Sequence, residues 1–294
     1  YGDIDVEKTK EMVAYAFEKG INYFDTAWGY HNGNSEIVMG EILKEYPRDS
    51  FYLATKFPGY DINNLKKAKE IFEEQLRKCQ VEYFDFYLFH NVCESNIDNY
   101  LNEDLGLLEY LLEQKRNGRI RHLGFSCHGA LDNMKQFLDA YGEHMEFCQI
   151  QLNWLDWKLQ NAKAKFELLN QYNIPIWVME PVRGGKLANL EKEYEDMLKE
   201  VRPQASVVEW AFRFLQTIPS VVVTLSGMSN FDQLKENINT FEKEEALDES
   251  ELQTLFGVCE KMTSKNTLPC TGCRYCTAYC PMGLSIPEMI ELYN

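Results

Sequence analysis

The chain has 294 residues, of which 45% are hydrophobic and 26% are charged. These fractions are typical of a folded globular protein and exclude a disordered, collagen-like or coiled-coil chain. Thirty Lys and Arg against 46 Asp and Glu give a net charge of −16, which argues against nucleic acid or a membrane surface as a partner. The sequence has no apolar run of about 18 residues and no signal segment, so we expect a cytoplasmic protein.

Short segments rich in β-branched and aromatic residues alternate along the chain with stretches of helical period. The segments predicted to be strands are residues 21–27, 51–56, 84–90, 122–126, 147–152, 174–180 and 220–225. The stretches predicted to be helices include residues 6–19, 65–79, 105–117, 203–216 and 231–241. Such alternation predicts a parallel sheet with right-handed crossovers.

The predicted fold is an α/β protein with a (β/α)8 TIM barrel. Because the chain begins with a helix, we expect the first strand of the barrel to precede Tyr1 and to be absent from this sequence. The alternative is an open doubly wound sheet, whose first turn is usually rich in glycine. No G-x-G-x-x-G segment occurs, so the barrel is preferred.

Four chemically active side chains follow the first three predicted strands: Asp25, Tyr30 in DTAWGY, Lys56 and His90. In a barrel these strand ends meet at one rim. Each residue has an ordinary structural explanation when taken alone, but Lys56 lies in the apolar run FYLATKF and needs a counter-charge, which Asp25 can supply. A lysine cation beside Tyr30 would lower the pKa of the phenol from about 10, so that Tyr30 could exchange a proton with a carbonyl oxygen. His90 is placed to orient that carbonyl.

These motifs resemble those of the aldo-keto reductase family, whose Asp, Tyr, Lys and His lie at the ends of successive barrel strands. The resemblance covers residues 1–258 and keeps the D-x4-Y spacing between Asp25 and Tyr30. It implies reversible hydride transfer from NADPH to an aldehyde or ketone, with Tyr30 as the general acid. The implied partner is a small-molecule carbonyl substrate.

The resemblance also implies residues for the nicotinamide cofactor. Ser126 and Gln149 occupy the places that hold the nicotinamide carboxamide, but Cys127 stands where many members have Asn. Glu180 and Pro181 stand where an aromatic ring commonly stacks on the nicotinamide. The segment after the last predicted strand resembles the family's adenosine-phosphate segment, with the candidate residues Gly227, Met228, Ser229, Gln233, Glu236 and Asn237.

Two points about the cofactor phosphates stay open. Some family members carry an arginine at the place of Gln233, so NADPH is expected and NADH is the alternative. Arg183 and Lys186 offer cations for the phosphates, and a solvated loop explains them about as well.

The nine cysteines fall into two groups. Five are scattered and expected to be reduced and mostly buried, namely Cys79, Cys93, Cys127, Cys148 and Cys259. Cys270, Cys273, Cys276 and Cys280 form the C-x2-C-x2-C-x3-C-P spacing of bacterial ferredoxins, which predicts a 4Fe-4S cluster, with zinc as the alternative. Residues 259–294 are therefore predicted to be a ferredoxin-type iron–sulfur segment, similar to the tail of a bacterial subset of aldo-keto reductases.

The fourth ligand of this cluster is undecided. Cys280 completes a single cluster, Cys259 does so, or the natural chain continues with further cysteines. The missing first strand and this tail together favour a fragment that is cut at both ends.

Two other functions remain open. The first is an iron–sulfur electron-transfer or redox-sensing protein whose barrel binds a nucleotide and which acts with a redox partner protein. The second is a nucleotide-sensing regulatory subunit. Oxidation of NADPH by simple aldehydes, and not only by a one-electron acceptor, would distinguish the reductase from the electron-transfer protein.

Overall fold

A computed structural model describes residues 3–264, 268, 270, 276–277 and 280–293. The strands in this part of the chain are β1 (Tyr23–Asp25), β2 (Tyr52–Phe57), β3 (Phe84–Val92), β4 (Ile120–Cys127), β5 (Cys148–Gln151), β6 (Ile176–Met179) and β7 (Val221–Thr224). Each strand begins and ends within two residues of its predicted segment. The alternating hydrophobic pattern therefore located all seven predicted strands.

The strands form one sheet in the order β1-β2-β3-β4-β5-β6-β7. The pairs from β1–β2 to β4–β5 are parallel, with Asp25 beside Ala54 and Ser126 beside Gln149. A doubly wound sheet reverses its strand order at a switch point, and this order has none. The sheet therefore agrees with the (β/α)8 class and not with the doubly wound alternative.

Helices connect the strands. Those in the described residues are α1 (Val6–Glu18), α2 (Ser35–Leu43), α3 (Ile62–Leu65), α4 (Ala68–Cys79), α5 (Ile97–Tyr100), α6 (Leu107–Arg116), α7 (Leu131–Tyr141), α8 (Asp156–Leu159), α9 (Ala162–Gln171), α10 (Lys192–Val201), α11 (Val207–Gln216), α12 (Phe231–Phe241), α13 (Glu249–Thr263) and α14 (Ile286–Tyr293). The helix predicted from residue 203 begins later, at Val207. Its start is set by Ser206, whose hydroxyl accepts the backbone N–H of Glu209 at 3.0 Å.

One compact unit contains residues 3–150, 164–177 and 228–234. Its core is rich in aromatic rings: Phe147 lies edge-on to Phe86 at 5.2 Å and against Trp177 at 4.8 Å. Gly124 makes room for this cluster, because a Cβ there would lie 2.5 Å from both the ring and the carbonyl oxygen of Phe147. A side chain at position 124 would therefore displace the ring or the strand.

The second compact unit contains residues 151–163, 178–227 and the described residues from 235 onward. Arg213 in α11 is 2% exposed and is paired with Glu209 and Glu245, each at 2.6 Å. Asp248 and Glu251 exchange side-chain to backbone hydrogen bonds of 2.9 Å at the start of α13, which is a capping box. Helix α13 continues past residue 258, where we predicted a domain boundary, and that division stays a prediction.

In the described residues, no helix is both long enough and apolar enough to cross a membrane.

Candidate active site

Lys56 and Asp25 form a buried ion pair at the ends of β1 and β2. Lys56 Nζ is fully buried, lies 2.5 Å from Asp25 Oδ1 and donates a second hydrogen bond to the carbonyl oxygen of Thr26 at 2.8 Å. Burial lowers the pKa of Lys56, and the carboxylates of Asp25 and Glu36 oppose this effect. Burial likewise raises the pKa of Asp25, while the Lys56 cation lowers it. The geometry thus holds a cation inside the protein with a carboxylate in direct contact.

Tyr30 lies against this cation. Lys56 Nζ is 4.8 Å from the centroid of the Tyr30 ring. The turn after Tyr30 is unusual, because His31, Asn32 and Gly33 all have left-handed backbone angles, with φ of 50°, 56° and 86°. Gly33 adopts this conformation freely, but two consecutive non-glycine residues with positive φ cost conformational energy, as is common where a fold fixes a functional side chain.

His90 lies beside the same tyrosine. Its ring, which is 4% exposed, stands edge-on to Tyr30 at 6.0 Å and to Tyr60 at 5.7 Å. Burial, the Lys56 cation and His128 together hold the pKa of His90 well below its usual value. At neutral pH His90 is therefore an uncharged imidazole, which can donate one hydrogen bond. The structure brings all four predicted catalytic residues together.

A second buried carboxylate near Lys56 was not identified from the sequence. Glu36 in α2 is fully buried, and its Oε1 accepts hydrogen bonds from Thr55 and Gln75, both at 2.7 Å. The Gln75 amide also reaches the carbonyl oxygen of Lys56 at 3.0 Å, and Lys78 Nζ lies 3.4 Å from Glu36 Oε2. We call these four residues (Glu36, Thr55, Gln75 and Lys78) the Glu36 network. Through the Gln75 amide, this network connects the carbonyl oxygen of Lys56 with the carboxylate of Glu36.

Ser126 and Gln149 lie side by side on β4 and β5, as register partners. They are 1% and 3% exposed, and Gln149 Oε1 has no hydrogen-bond partner among the described residues. The neighbouring Cys127 is fully buried, its thiol is directed to the carbonyl oxygen of Gly129 at 3.8 Å, and burial raises its pKa to about 11. Ser126 and Gln149 can therefore bind a buried polar ligand, whereas Cys127 is an inert thiol.

Several side chains of the segment predicted to bind the adenosine phosphate form hydrogen bonds within the protein. Gly227, Ser229 and Gln233 are exposed, and Met228 is half-buried. The Gln233 side chain accepts the backbone N–H of Ser229 at 2.7 Å. Glu236 instead accepts a hydrogen bond from Ser206, and the Asn237 amide donates to Ser226 at 3.1 Å. Glu236 and Asn237 therefore have structural hydrogen bonds in addition to any role toward a cofactor.

Arg183 does not lie in a solvated loop. It is 7% exposed, its Nε lies 3.1 Å from Asp156 Oδ1, and its Nη2 donates to the carbonyl oxygen of Cys270 at 2.8 Å. Lys186 is half-exposed and lies 3.9 Å from Glu291. Arg183 thus joins the loop after β6 to the cysteine segment.

The predicted cluster site lies only partly within the described residues. Cys270, Cys276 and Cys280 are described and Cys273 is not. The sulfur of Cys280 accepts the backbone N–H of Leu284 at 3.4 Å. Among the residues that the structure describes, no group of three or more His, Cys, Asp or Glu side chains could hold a metal ion. The scattered cysteines Cys79, Cys127, Cys148 and Cys259 are buried, as expected.

A sequence model of the aldo/keto reductase family matches residues 1–258. The chain belongs to this family. It is therefore an NAD(P)H-dependent oxidoreductase with the α/β fold of the aldo-keto reductases. The match ends before the four clustered cysteines, so it does not include the predicted iron–sulfur segment.

Individual relatives agree with this assignment. The chain is 24% identical over 280 residues to an NADH-specific methylglyoxal reductase of Escherichia coli K12, covering 81% of this chain and 83% of that protein. It is 28% identical over 182 residues to a probable aldo-keto reductase 1 of Glycine max, and the match covers 59% of this chain and only 49% of the soybean protein. A solved aldo-keto reductase of Bacillus halodurans in its holo form has a TM-score of 0.71 and 26% identity, covering 87% of this chain and 88% of that one.

Proposed function

We propose that the protein reduces an aldehyde or a ketone with NADPH and that Tyr30 protonates the carbonyl oxygen. The observation that carries this proposal is the buried Lys56 cation, which is paired with Asp25 and lies 4.8 Å from the Tyr30 ring. The relative from Escherichia coli is named a methylglyoxal reductase, which makes a small reactive carbonyl the first substrate to test.

Each residue of the site has a separate role in this proposal. Ser126 and Gln149 would hold the nicotinamide of NADPH, which would supply the hydride that the carbonyl carbon accepts. Tyr30 gives its phenolic proton to the carbonyl oxygen, so that the product is the alcohol and Tyr30 is left as a phenolate. The Lys56 cation stabilises that phenolate, and Asp25 keeps the cation in place. His90, which is uncharged, donates a hydrogen bond that orients the carbonyl.

The residues for the nicotinamide end fit such a cofactor. Ser126 supplies a hydroxyl, and the buried Oε1 of Gln149 lacks a partner in the described part of the chain, so a ligand carrying N–H groups would satisfy it. For the adenosine end we propose the segment with Gly227, Met228 and Ser229, together with Gln233, Glu236 and Asn237 on α12. We propose NADPH over NADH, and the two dissociation constants would decide between them.

The test is replacement of Tyr30 by Phe, which removes only the acidic oxygen. With methylglyoxal as the substrate, kcat should fall by at least about 100-fold, the size of a general-acid contribution, while the Kd for NADPH stays within about twofold. Tyr52→Phe is the matched control, since Tyr52 is 45% exposed at the start of β2. Turnover of the Tyr30→Phe variant within tenfold of the wild type would refute the assignment.

We further propose that Cys270, Cys273, Cys276 and Cys280 hold a 4Fe-4S cluster. Their spacing supports the cluster. The hydrogen bond from the Leu284 N–H to the Cys280 sulfur would help to set its reduction potential. Anaerobic purification should give about four iron and four sulfide per chain, and Cys276→Ser should lower both. Zinc in place of iron, or no metal at all, would contradict the proposal.

A further inference from the structure

Three buried polar residues on β3, β4 and β5 lie next to one another. The backbone N–H of Asn91 donates to Ser126 Oγ at 2.8 Å, and Ser126 is the register partner of Gln149. All three residues are at most 3% exposed. Register partners on adjacent strands present their side chains on the same face of a sheet. Ser126 therefore lies between the amides of Asn91 and Gln149 in the order of the strands.

The hydrogen-bonding capacity of this group is incomplete. Asn91 Oδ1 and Gln149 Oε1 are both buried, and neither accepts a hydrogen bond from a described residue. Each unsatisfied buried acceptor costs about 1–3 kcal/mol, so two of them on the strands that flank Ser126 favour a ligand that satisfies both. Ser126 Oγ already accepts the Asn91 N–H, which leaves its own proton to donate.

The backbone at Asn91 is held in an unusual conformation. Its φ is 58°, in the left-handed region, at the register shift between Phe89 and Val92. Its carbonyl oxygen accepts a hydrogen bond of 2.7 Å from the amide of Asn96, which fixes this conformation. Asn tolerates the left-handed region better than most residues, and such strain is common at ligand sites. The fold thus keeps Asn91 in place at an energetic cost.

We propose that Asn91 is a cofactor-binding residue that contacts the nicotinamide carboxamide. A carboxamide has two N–H donors and one carbonyl acceptor, and the group on β3 to β5 has two unsatisfied acceptors and one hydroxyl donor. Asn91 Oδ1 and Gln149 Oε1 accept the two N–H bonds, and Ser126 donates to the carbonyl oxygen. Asn91 thereby provides the amide oxygen that the buried thiol of Cys127 cannot provide. This inference rests on the proposed use of NADP(H).

The experiment compares NADP+ with its 3-acetylpyridine analogue, in which a methyl group replaces the carboxamide nitrogen. Wild-type protein should bind NADP+ at least about fivefold more tightly than the analogue, because the analogue cannot donate N–H bonds. Asn91→Gly accepts a positive φ and removes the amide. It should weaken NADP+ binding about five- to tenfold and leave the Kd of the analogue within about twofold.

Two further variants complete the design. Asn91→Asp keeps an acceptor oxygen and should keep the preference for NADP+. Asn91→Ala also removes the amide, and it replaces the glycine variant if that variant does not fold. Asn173→Gly is the matched control, since Asn173 has a φ of 55° and is exposed. Calorimetric titration gives each Kd, and circular dichroism checks the fold.

The outcomes separate the two proposals. If Asn91→Gly weakens NADP+ and the analogue equally, Asn91 acts only on the structure and the inference is overturned. An unchanged Kd for NADP+, or a wild type that binds both compounds alike, also overturns it. A wild type that binds neither NADPH nor NADP+ refutes the proposed function itself.

Discussion

Replacing Glu36 by Gln should destabilise the protein, and by more than the same replacement of Glu41, the other charged residue of α2. Glu36 is fully buried and accepts hydrogen bonds from Thr55 and Gln75 and a longer one from Lys78. The Gln side chain keeps the shape but removes the charge, and it places an NH2 group where one oxygen accepted. Breaking a buried ion pair costs about 3–5 kcal/mol. Because the Lys78 side chain is 11% exposed and can reach water, we expect about 3 kcal/mol.

The same variant should change the pH dependence of catalysis. The Glu36 carboxylate raises the pKa of Lys56, against the lowering by burial. Without it, Lys56 loses its proton at a lower pH. In the proposed mechanism, the protonated lysine is the form that stabilises the Tyr30 phenolate. The alkaline limb of kcat/KM should therefore move to lower pH in Glu36→Gln. A purely structural role of Glu36 would lower stability and leave this limb in place.

Urea unfolding gives the change in stability, and initial rates between pH 6 and 10 give the profile. Glu41→Gln is the matched control, since Glu41 lies in the same helix and is exposed. It should leave both measurements unchanged. If Glu36→Gln unfolds at the same urea concentration as the wild type, or keeps the wild-type alkaline limb, the account of the Glu36 network is refuted.

Other parts of the fold give further predictions. Gly124→Ala should cost about 2–4 kcal/mol in urea unfolding because its Cβ would overlap Phe147, whereas Gly257→Ala in α13, with nothing within 4 Å, should stabilise by up to about 1 kcal/mol. Asp248→Ala removes the capping box and should cost about 1 kcal/mol by the same assay. Burial lowers the pKa of His128 from 6.5 to about 4. Between these two pH values the unfolded chain binds more protons than the folded protein, so the free energy of unfolding should fall by about 3 kcal/mol as the pH falls through this range. His128→Gln should flatten that loss, and an equally steep loss would contradict the assignment.

The sequence predicted the strands well because their signal is local. The apolar run around Lys56 and the spacing between Asp25 and Tyr30 can be read from a few neighbouring residues. Glu36 and Asn91 could not be found in this way. Glu36 looks like an ordinary acidic residue in the first turn of a helix, and its partner Gln75 lies 39 positions away. Asn91 looks like a turn residue after a strand, and only the contact with Ser126, 35 positions away, shows its place.

The site keeps one group charged and another neutral, and the charged neighbours of the two groups differ. Lys56 is fully buried, yet Asp25 contacts its ammonium group and Glu36 adds a second negative charge nearby. His90 is almost as deeply buried, and the Lys56 cation and His128 both disfavour its protonation. The cation therefore stays on Lys56, beside the Tyr30 ring, and His90 stays a neutral imidazole. A protonated His90 would compete with Tyr30 as the acid, so the lowered pKa of His90 supports the proposal that Tyr30 gives the proton.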